Sequence, residues 1–341
     1  MNEPIFIARQ DTLEQEILPA HWLSQYKLFG EESYTFQDKE IWKKLCMSRA
    51  AANDRDMHAE ALEEMLTTFS AEHTGKWMLL IYGLDEAVLE GLATMAAIAA
   101  NGTAMAAVAG NALLMHAITN SQTAMRAITN SQTAMRAIAN SQTAMQRIAN
   151  STTAMDAIGG SKIARDAVQA SPYYDAKIKE NDMAIAKLVV GFANLESARY
   201  SGCAGMAADS TAMTAIAASS TAMTAVAASA TAMGKIAAVD AALSKLAAST
   251  TAMDALYARK KQMKGGSASK SGKFIILEIS QSNAFNTSKY GYATLSDGSK
   301  PDWSSYLAKY AFFQKYPKYA TYMLNDTDSD DYIYYFDIAS P

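Results

Sequence analysis

The chain has little of what marks catalytic or metal-binding proteins. Of its 341 residues two are cysteine, Cys46 and Cys203, far apart in sequence. Such a pair supports neither a disulfide framework nor a zinc site, and reads as two reduced core thiols. The four histidines, His21, His58, His73 and His116, show no ligand spacing. Net charge is −4 and the isoelectric point about 5.7, which gives no electrostatic case for nucleic acid. No nucleophile elbow and no phosphate-binding glycine loop occurs. The acid pairs Glu31–Glu32 and Glu63–Glu64 lie on charged faces. Asp326, Asp328 and Asp330 alternate as in a calcium loop, but Asp331 stands where the glycine belongs and Asp337 where a bidentate Glu belongs. The expectation is a protein that is no enzyme and takes neither metal nor cofactor.

Long hydrophobic runs are missing too. The N-terminus (MNEPIFIARQDTLEQEILPAHW) is acidic and has no apolar centre, so no signal peptide is expected. The weakly polar stretch Val88–Val108 is rich in Ala and carries Glu90, Asn101 and Thr103, a poor membrane span. A soluble protein made in a cytoplasm, without membrane insertion, is expected.

What is present is a phrase of ten residues. Thr-Ala-Met recurs at 103–105, 123–125, 133–135, 143–145 and 153–155, and again at 211–213, 221–223, 231–233 and 251–253. Fixed-period self-similarity is the signature of repeat architecture. The composition divides accordingly. Residues 1–82 are charged and aromatic and read as a helical attachment or docking module, its clearest stripe being Met57, Ala61, Leu62, Met65, Leu66 and Phe69. Residues 83–170 form a first array, 171–200 a break and 201–258 a second array. Residues 259–272 are a basic, Gly/Ser-rich linker, and 273–341 a Tyr-rich tip.

Two residues before each Thr-Ala-Met stands Asn101, Ser121, Ser131, Ser141, Ser151, Asp209, Ser219, Ser229 or Ser249. All are helix N-cap residues, whose side chains accept an otherwise orphaned backbone N–H. Asn120, Asn130, Asn140 and Asn150 precede the cap in the first array, and Asn tolerates the left-handed conformation that ends helices. Asn-Ser therefore reads as one helix stopping and the next starting. Met and Ile or Val stand three apart on one face: Met125/Ile128, Met135/Ile138, Met145/Ile148, Met213/Ile216 and Met223/Val226. The slot after Met holds Arg126, Arg136, Gln146, Asp156, Thr214 and Thr224 and so faces solvent. A unit is then a helix of two turns, roughly 12 Å long and unstable alone. Its apolar face must be covered by neighbouring units or by other copies of the chain.

The rival is one continuous helix in a coiled coil. Ten residues at 3.6 per turn shift the stripe backwards by about 80° per repeat, a stammer in every unit that coiled coils rarely sustain. Short stacked helices are favoured for the first array. Both readings stay open for the second, where Ala218, Ala228 and Ala248 replace the Asn stop and Ala is the best helix former.

The nine Thr-Ala-Met units, with Ile or Val three after most of the Mets, resemble the decapeptide repeats of tailed-bacteriophage fibre and other virion appendage proteins. The resemblance covers about half of the chain. It implies a structural virion protein, made in the host cytoplasm, that is homo-oligomeric and often trimeric. Its N-terminal part would attach to other virion proteins and its C-terminal tip would serve host attachment or assembly. It brings no catalytic residues and no cofactor. A cellular scaffold or adhesin that binds partners along the array is the alternative.

In the tail, 274–280, 290–295, 319–324 and 332–338 read as strands, with a turn at Ser296–Ser299 and a helix over 303–313. Tyrosines crowd there. Tyr290, Tyr292, Trp303, Tyr332 and Tyr334 are the candidate receptor contacts, because Tyr and Trp give rigid amphipathic contact area. Strand composition alone also accounts for them. The fold expected for the whole is mainly α: an elongated array of short decapeptide-repeat helices, a helical N-terminal module and a small C-terminal α+β module with an antiparallel sheet.

Overall fold

The structure is a computed structural model, and it describes residues 92, 95–280, 291–303, 306–326 and 331–341. The expected N-terminal module, Tyr290 and most of the acidic run after Asn325 lie outside the described residues. Among those described there are seventeen α-helices and one six-stranded antiparallel sheet. The chain divides into two compact units, Met1–Tyr174 and Asp175–Pro341.

The first unit holds α1 (Met95–Ala100), α2 (Gly102–Gly110), α3 (Ala112–Asn120), α4 (Gln122–Thr129), α5 (Gln132–Ala139), α6 (Gln142–Ala149), α7 (Thr152–Gly160) and α8 (Lys162–Gln169). A one-turn helix, α9 (Tyr174–Lys177), follows. Helix n lies against helix n+3: α1 on α4, α2 on α5, α3 on α6, α4 on α7 and α5 on α8. Three decapeptides thus make one rung of thirty residues. Within a unit the Ala before Met, the Met, the Ile and the residue after Ile turn inwards. Met125, Ile128, Met135, Ile138, Met145 and Ile148 are fully buried, with Ala124, Ala134 and Ala144 beside them. One chain therefore covers its own stripe, and the small Ala side chains permit the close stacking.

The stop between helices differs from the expectation. Asn130, Asn140 and Asn150 are right-handed, with φ of −89°, −89° and −98°. The turn is made one residue later by the serine, which is extended. Ser131 has φ −106° and ψ 117°, and Ser141 has φ −109° and ψ 118°.

The second unit contains α10 (Asp182–Phe192), a 3-10 turn at Ser197–Arg199, α11 (Cys203–Ala208), α12 (Ser210–Ala218), α13 (Ser220–Ala228), α14 (Ala230–Ala237), α15 (Asp240–Ala247) and α16 (Thr250–Tyr257). The n to n+3 stacking returns as α10 on α13, α11 on α14, α12 on α15 and α13 on α16. Its array helices, α12 to α16, are as short as those of the first unit, in spite of the Ala stops. Ser219, with φ −95° and ψ 114°, both ends α12 and caps α13, and the two helices meet at a bend of 102°. The physical reason is a difference in magnitude. Ser in place of Ala weakens a helix by about 0.5 kcal/mol, whereas burying one Met or Ile contributes about 1.5–3 kcal/mol. A stripe that would slip round a continuous helix is worth more folded back into a stack.

The sheet runs β1-β6-β2-β5-β3-β4. Its strands are β1 (Lys261–Lys264), β2 (Ala268–Ser280), β3 (Gly291–Leu295), β4 (Asp302–Trp303), β5 (Ala320–Asn325) and β6 (Tyr332–Asp337), with α17 (Ala311–Lys315) before β5. Register is set by pairs such as Ile275 with Phe336, Tyr292 with Leu324 and Lys264 with Tyr332. Met263, Phe274, Ile276, Ala293, Trp303, Phe312, Met323, Ile333 and Tyr335 share one core on the inner face. Gly291 lies beneath the Trp303 indole, where a Cβ would come within 2.4 Å of Nε1.

Two expectations for this region change. The stretch 259–272, read as linker, holds β1 and the start of β2. Gly266 (φ 95°) and Ser267 (φ 68°) make a tight turn between them, fixed by Gly265 N–H donating to Asp331 O (2.8 Å) and Ser267 N–H to Asn325 O (3.1 Å). Polar Lys and Ser residues on solvent-facing strand positions gave the segment its linker-like composition. The helix expected over 303–313 shrinks to α17, because Trp303 pairs with Gly291 in the sheet.

Candidate functional site: the repeat corners and the aromatic sheet

The corner serines Ser131, Ser141, Ser151, Ser161, Ser219, Ser229 and Ser249 each make two hydrogen bonds of opposite sense. The oxygen accepts the N–H three residues on: Ala124 to Ser121 (3.3 Å), Ala134 to Ser131 (3.2 Å), Ala144 to Ser141 (3.2 Å) and Ala154 to Ser151 (3.2 Å). In the second unit Ser219 accepts from Ala222 (3.3 Å) and Ser229 from Ala232 (3.0 Å). The same hydroxyl donates to a carbonyl thirty-two residues earlier, at the end of a helix one rung away. Ser131 reaches Ala99 O (2.5 Å), Ser141 Ala109 O (2.5 Å), Ser151 Thr119 O (2.5 Å), Ser161 Thr129 O (2.6 Å) and Ser171 Ala139 O (2.5 Å). Ser249 reaches Ala217 O (2.5 Å) in the second unit. One hydroxyl thus satisfies an orphan donor of its own helix and an orphan acceptor of another. Where residues 191–202 interrupt the spacing, the partners change: Ser219 donates to Phe192 O (3.2 Å) and Ser229 to Lys179 O (2.6 Å). Asp209 caps α12 but, as a carboxylate, has no proton to donate. It accepts instead from Thr211 and Ala212 N–H and from the Tyr200 hydroxyl (2.8 Å), which hold it below the usual carboxylate range.

Met213, Ile216, Met223 and Val226 are fully buried, as in the first unit. Two cations also lie inside. Arg165 occupies a Met slot and donates to Gly159 O (2.6 Å), and burial pushes its guanidinium pKa down. Lys187 is 1% exposed and donates to Ser197 O (3.1 Å). Cys203 is a buried free thiol, its pKa raised by burial and by Asp182. Among the described residues no group of three or more His, Cys, Asp or Glu could hold a metal ion. No single described helix is long and apolar enough to cross a membrane.

The aromatic candidates fall in three places. Tyr292 is half-buried and packs at 5.7 Å on Tyr322. Trp303 is 4% exposed and meets Phe312 edge-on, so it builds the core and offers no surface. Tyr332 and Tyr334 stack at 6.2 Å along β6, and Tyr334 leans on Tyr257 at 6.4 Å.

Tyr257 is a residue that sequence reasoning did not single out. It stands where the preceding rung has Ala227, and that departure from the repeat was its one visible signal. Its hydroxyl donates to Glu278 Oε2 (2.5 Å), and burial, then Glu278, raises its pKa. The ammonium groups of Lys260 and Lys309 lie 4.0 and 4.4 Å from its ring centroid. Asp254, one helical turn before, accepts from the Tyr310 hydroxyl and from Lys309 Nζ (3.2 Å), which lower its pKa. Tyr310 adopts φ 73°, a costly conformation for a non-glycine residue. Lys318 bonds Asp240 Oδ2 at 2.6 Å. These contacts hold the sheet against α15 and α16. No protein-family model and no curated protein matches this sequence.

Proposed function

We propose that this chain is a non-enzymatic structural protein of a tailed-phage particle, a fibre or appendage component attached to other virion proteins through its N-terminal residues. Its arrays are spacers whose length follows copy number, and its C-terminal module serves assembly or host contact. The observation that carries this reading is the repeated corner. The same serine, with the same pair of hydrogen bonds, recurs from rung to rung, while the solvent-facing slot varies freely, as Arg126, Arg136, Thr214 and Thr224. Selection on such a unit acts on length and rigidity, as in other stacked-repeat proteins. Burial of the Met and Ile stripe within a single chain removes the packing reason for a trimer. Symmetric copies, as the resemblance implies, would be held together outside the arrays.

Mass spectrometry of purified particles, with antibody labelling of a tagged chain, tests the proposal. The expected result is a stoichiometric virion component labelled on a tail, baseplate or capsid appendage. A chain found in infected cells and absent from particles would favour the cellular scaffold instead.

A further inference from the structure

Three consecutive residues between the arrays, Glu180, Asn181 and Asp182, cap three different helices. Asn181 Oδ1 accepts the Ala184 N–H (3.1 Å) and starts α10. Glu180 serves α14, fifty residues further along the chain. Its Oε1 accepts the Ala230 N–H (3.0 Å), its Oε2 the Thr231 N–H (2.8 Å) and its backbone carbonyl the Thr231 hydroxyl (3.2 Å). Ser229 N–H donates to Val226 O and Ala232 N–H to Ser229 Oγ, so the first four N–H groups of α14 are all satisfied. Asp182 serves α11. Its Oδ1 accepts the Cys203 N–H (3.3 Å), at a helix start where the N-cap residue, Gly202, has no side chain to offer. A Cβ at Gly202 would come within 2.2 Å of Asp182 Oδ2 and push the carboxylate away.

The residues beside these three serve the same unit. Lys179 O accepts the Ser229 hydroxyl (2.6 Å), and Phe192 O accepts the Ser219 hydroxyl (3.2 Å). The Tyr200 hydroxyl donates to Asp209, the cap of α12 (2.8 Å). Helices α10, α11, α12, α13 and α14 thus each take a bond at their first turn from residues 179–200. An ordinary corner serine ties its helix to a single carbonyl one rung back. Here the ties of a whole first rung are gathered in one short segment. Two of the three caps are carboxylates, whose bonds to N–H groups at a helix start are charge-assisted.

We infer that Glu180, Asn181 and Asp182 are the clamp that starts the second stack, and that α10 to α16 open and close as one cooperative body whose stability is set there. Amides of such a body exchange with solvent together. The clamp acts within the chain and does not depend on the particle-borne role.

Amide hydrogen exchange of the full chain and of full-length Glu180→Ala, Asp182→Ala and the double variant tests it. Glu196→Ala is the control, an exposed acid of the same segment whose side chain makes no cap bond. The reporting amides are Ala242 and Ala252, in α15 and α16, which donate to Val239 O and Ser249 Oγ, outside the clamp. Each lost cap should speed their exchange about five-fold, and the double variant about thirty-fold. The amides of Ala134 and Ala144 in the first unit should keep their rates. Complete loss of protection in α10 to α16 with the first unit intact would also support the clamp. Faster exchange confined to Ala230, Thr231 and Cys203 would overturn the inference. So would unchanged rates, equal acceleration in both units, or the same acceleration in the control.

Discussion

The hydroxyl of a corner serine such as Ser141 carries two obligations, and the cost of removing it follows from both. Loss of a serine N-cap costs about 1 kcal/mol. Loss of the bond to the carbonyl of another rung adds about 1 kcal/mol. Ser141→Ala should therefore weaken local stability by about 2 kcal/mol, read as faster hydrogen exchange at the Ala144 amide. Ser141→Asp keeps the cap but cannot donate to Ala109, so it should recover only the first half. Ser210→Ala, at an exposed position, should change stability by less than about 0.5 kcal/mol. At this scale much was legible beforehand. The caps and the Met/Ile stripe are properties of a few neighbouring residues, so composition and spacing reveal them. The second bond of each serine was not legible, since nothing within ten residues states which carbonyl lies across the rung. The inward pair of Ala residues was also missed, because Ala reads as helix former before it reads as core.

Elements are decided by packing. The Ala-rich second array has the propensity for a long helix, yet breaks at Ser219 and Ser229 because the stack buries more than the break costs. In the sheet the alternation of β3, with Gly291, Ala293 and Leu295 inside and Tyr292 and Thr294 outside, was visible in the sequence. The polar strand β1 was not, because its lysines hide an edge strand behind a linker composition. The contact between sheet and array brings a pH dependence whose sign can be worked out. Asp254 has a lowered pKa, so its contribution is present above the ordinary value of 3.8 and fades as pH falls below it. Tyr257 and Tyr310 have raised pKa values, so theirs is present below the ordinary value of 10.0 and fades as pH rises beyond it. Docking should be flat between these limits and weaken on either side. Near-ultraviolet circular dichroism follows docking. A difference titration against Tyr257→Phe should show one phenol ionising well above the ordinary range, and a phenol titrating normally would contradict the bonded geometry.

For the whole molecule, the central statement concerns which parts of the chain are neighbours. The decapeptide announces regularity, but three units per rung is a consequence of the bend at each corner, 102° between α12 and α13, and no residue type encodes that number. The most direct test is a distance. Nitroxide labels at Thr214→Cys and Ser244→Cys, with Cys46 and Cys203 replaced, would sit on exposed slots of α12 and α15, thirty residues apart. Stacked helices place them near the roughly 8–10 Å that separates packed helix axes, plus the reach of the labels, and spectra should be strongly broadened. A continuous helix would place them about 45 Å apart, at 1.5 Å per residue, and a narrow spectrum with that separation would contradict the stack.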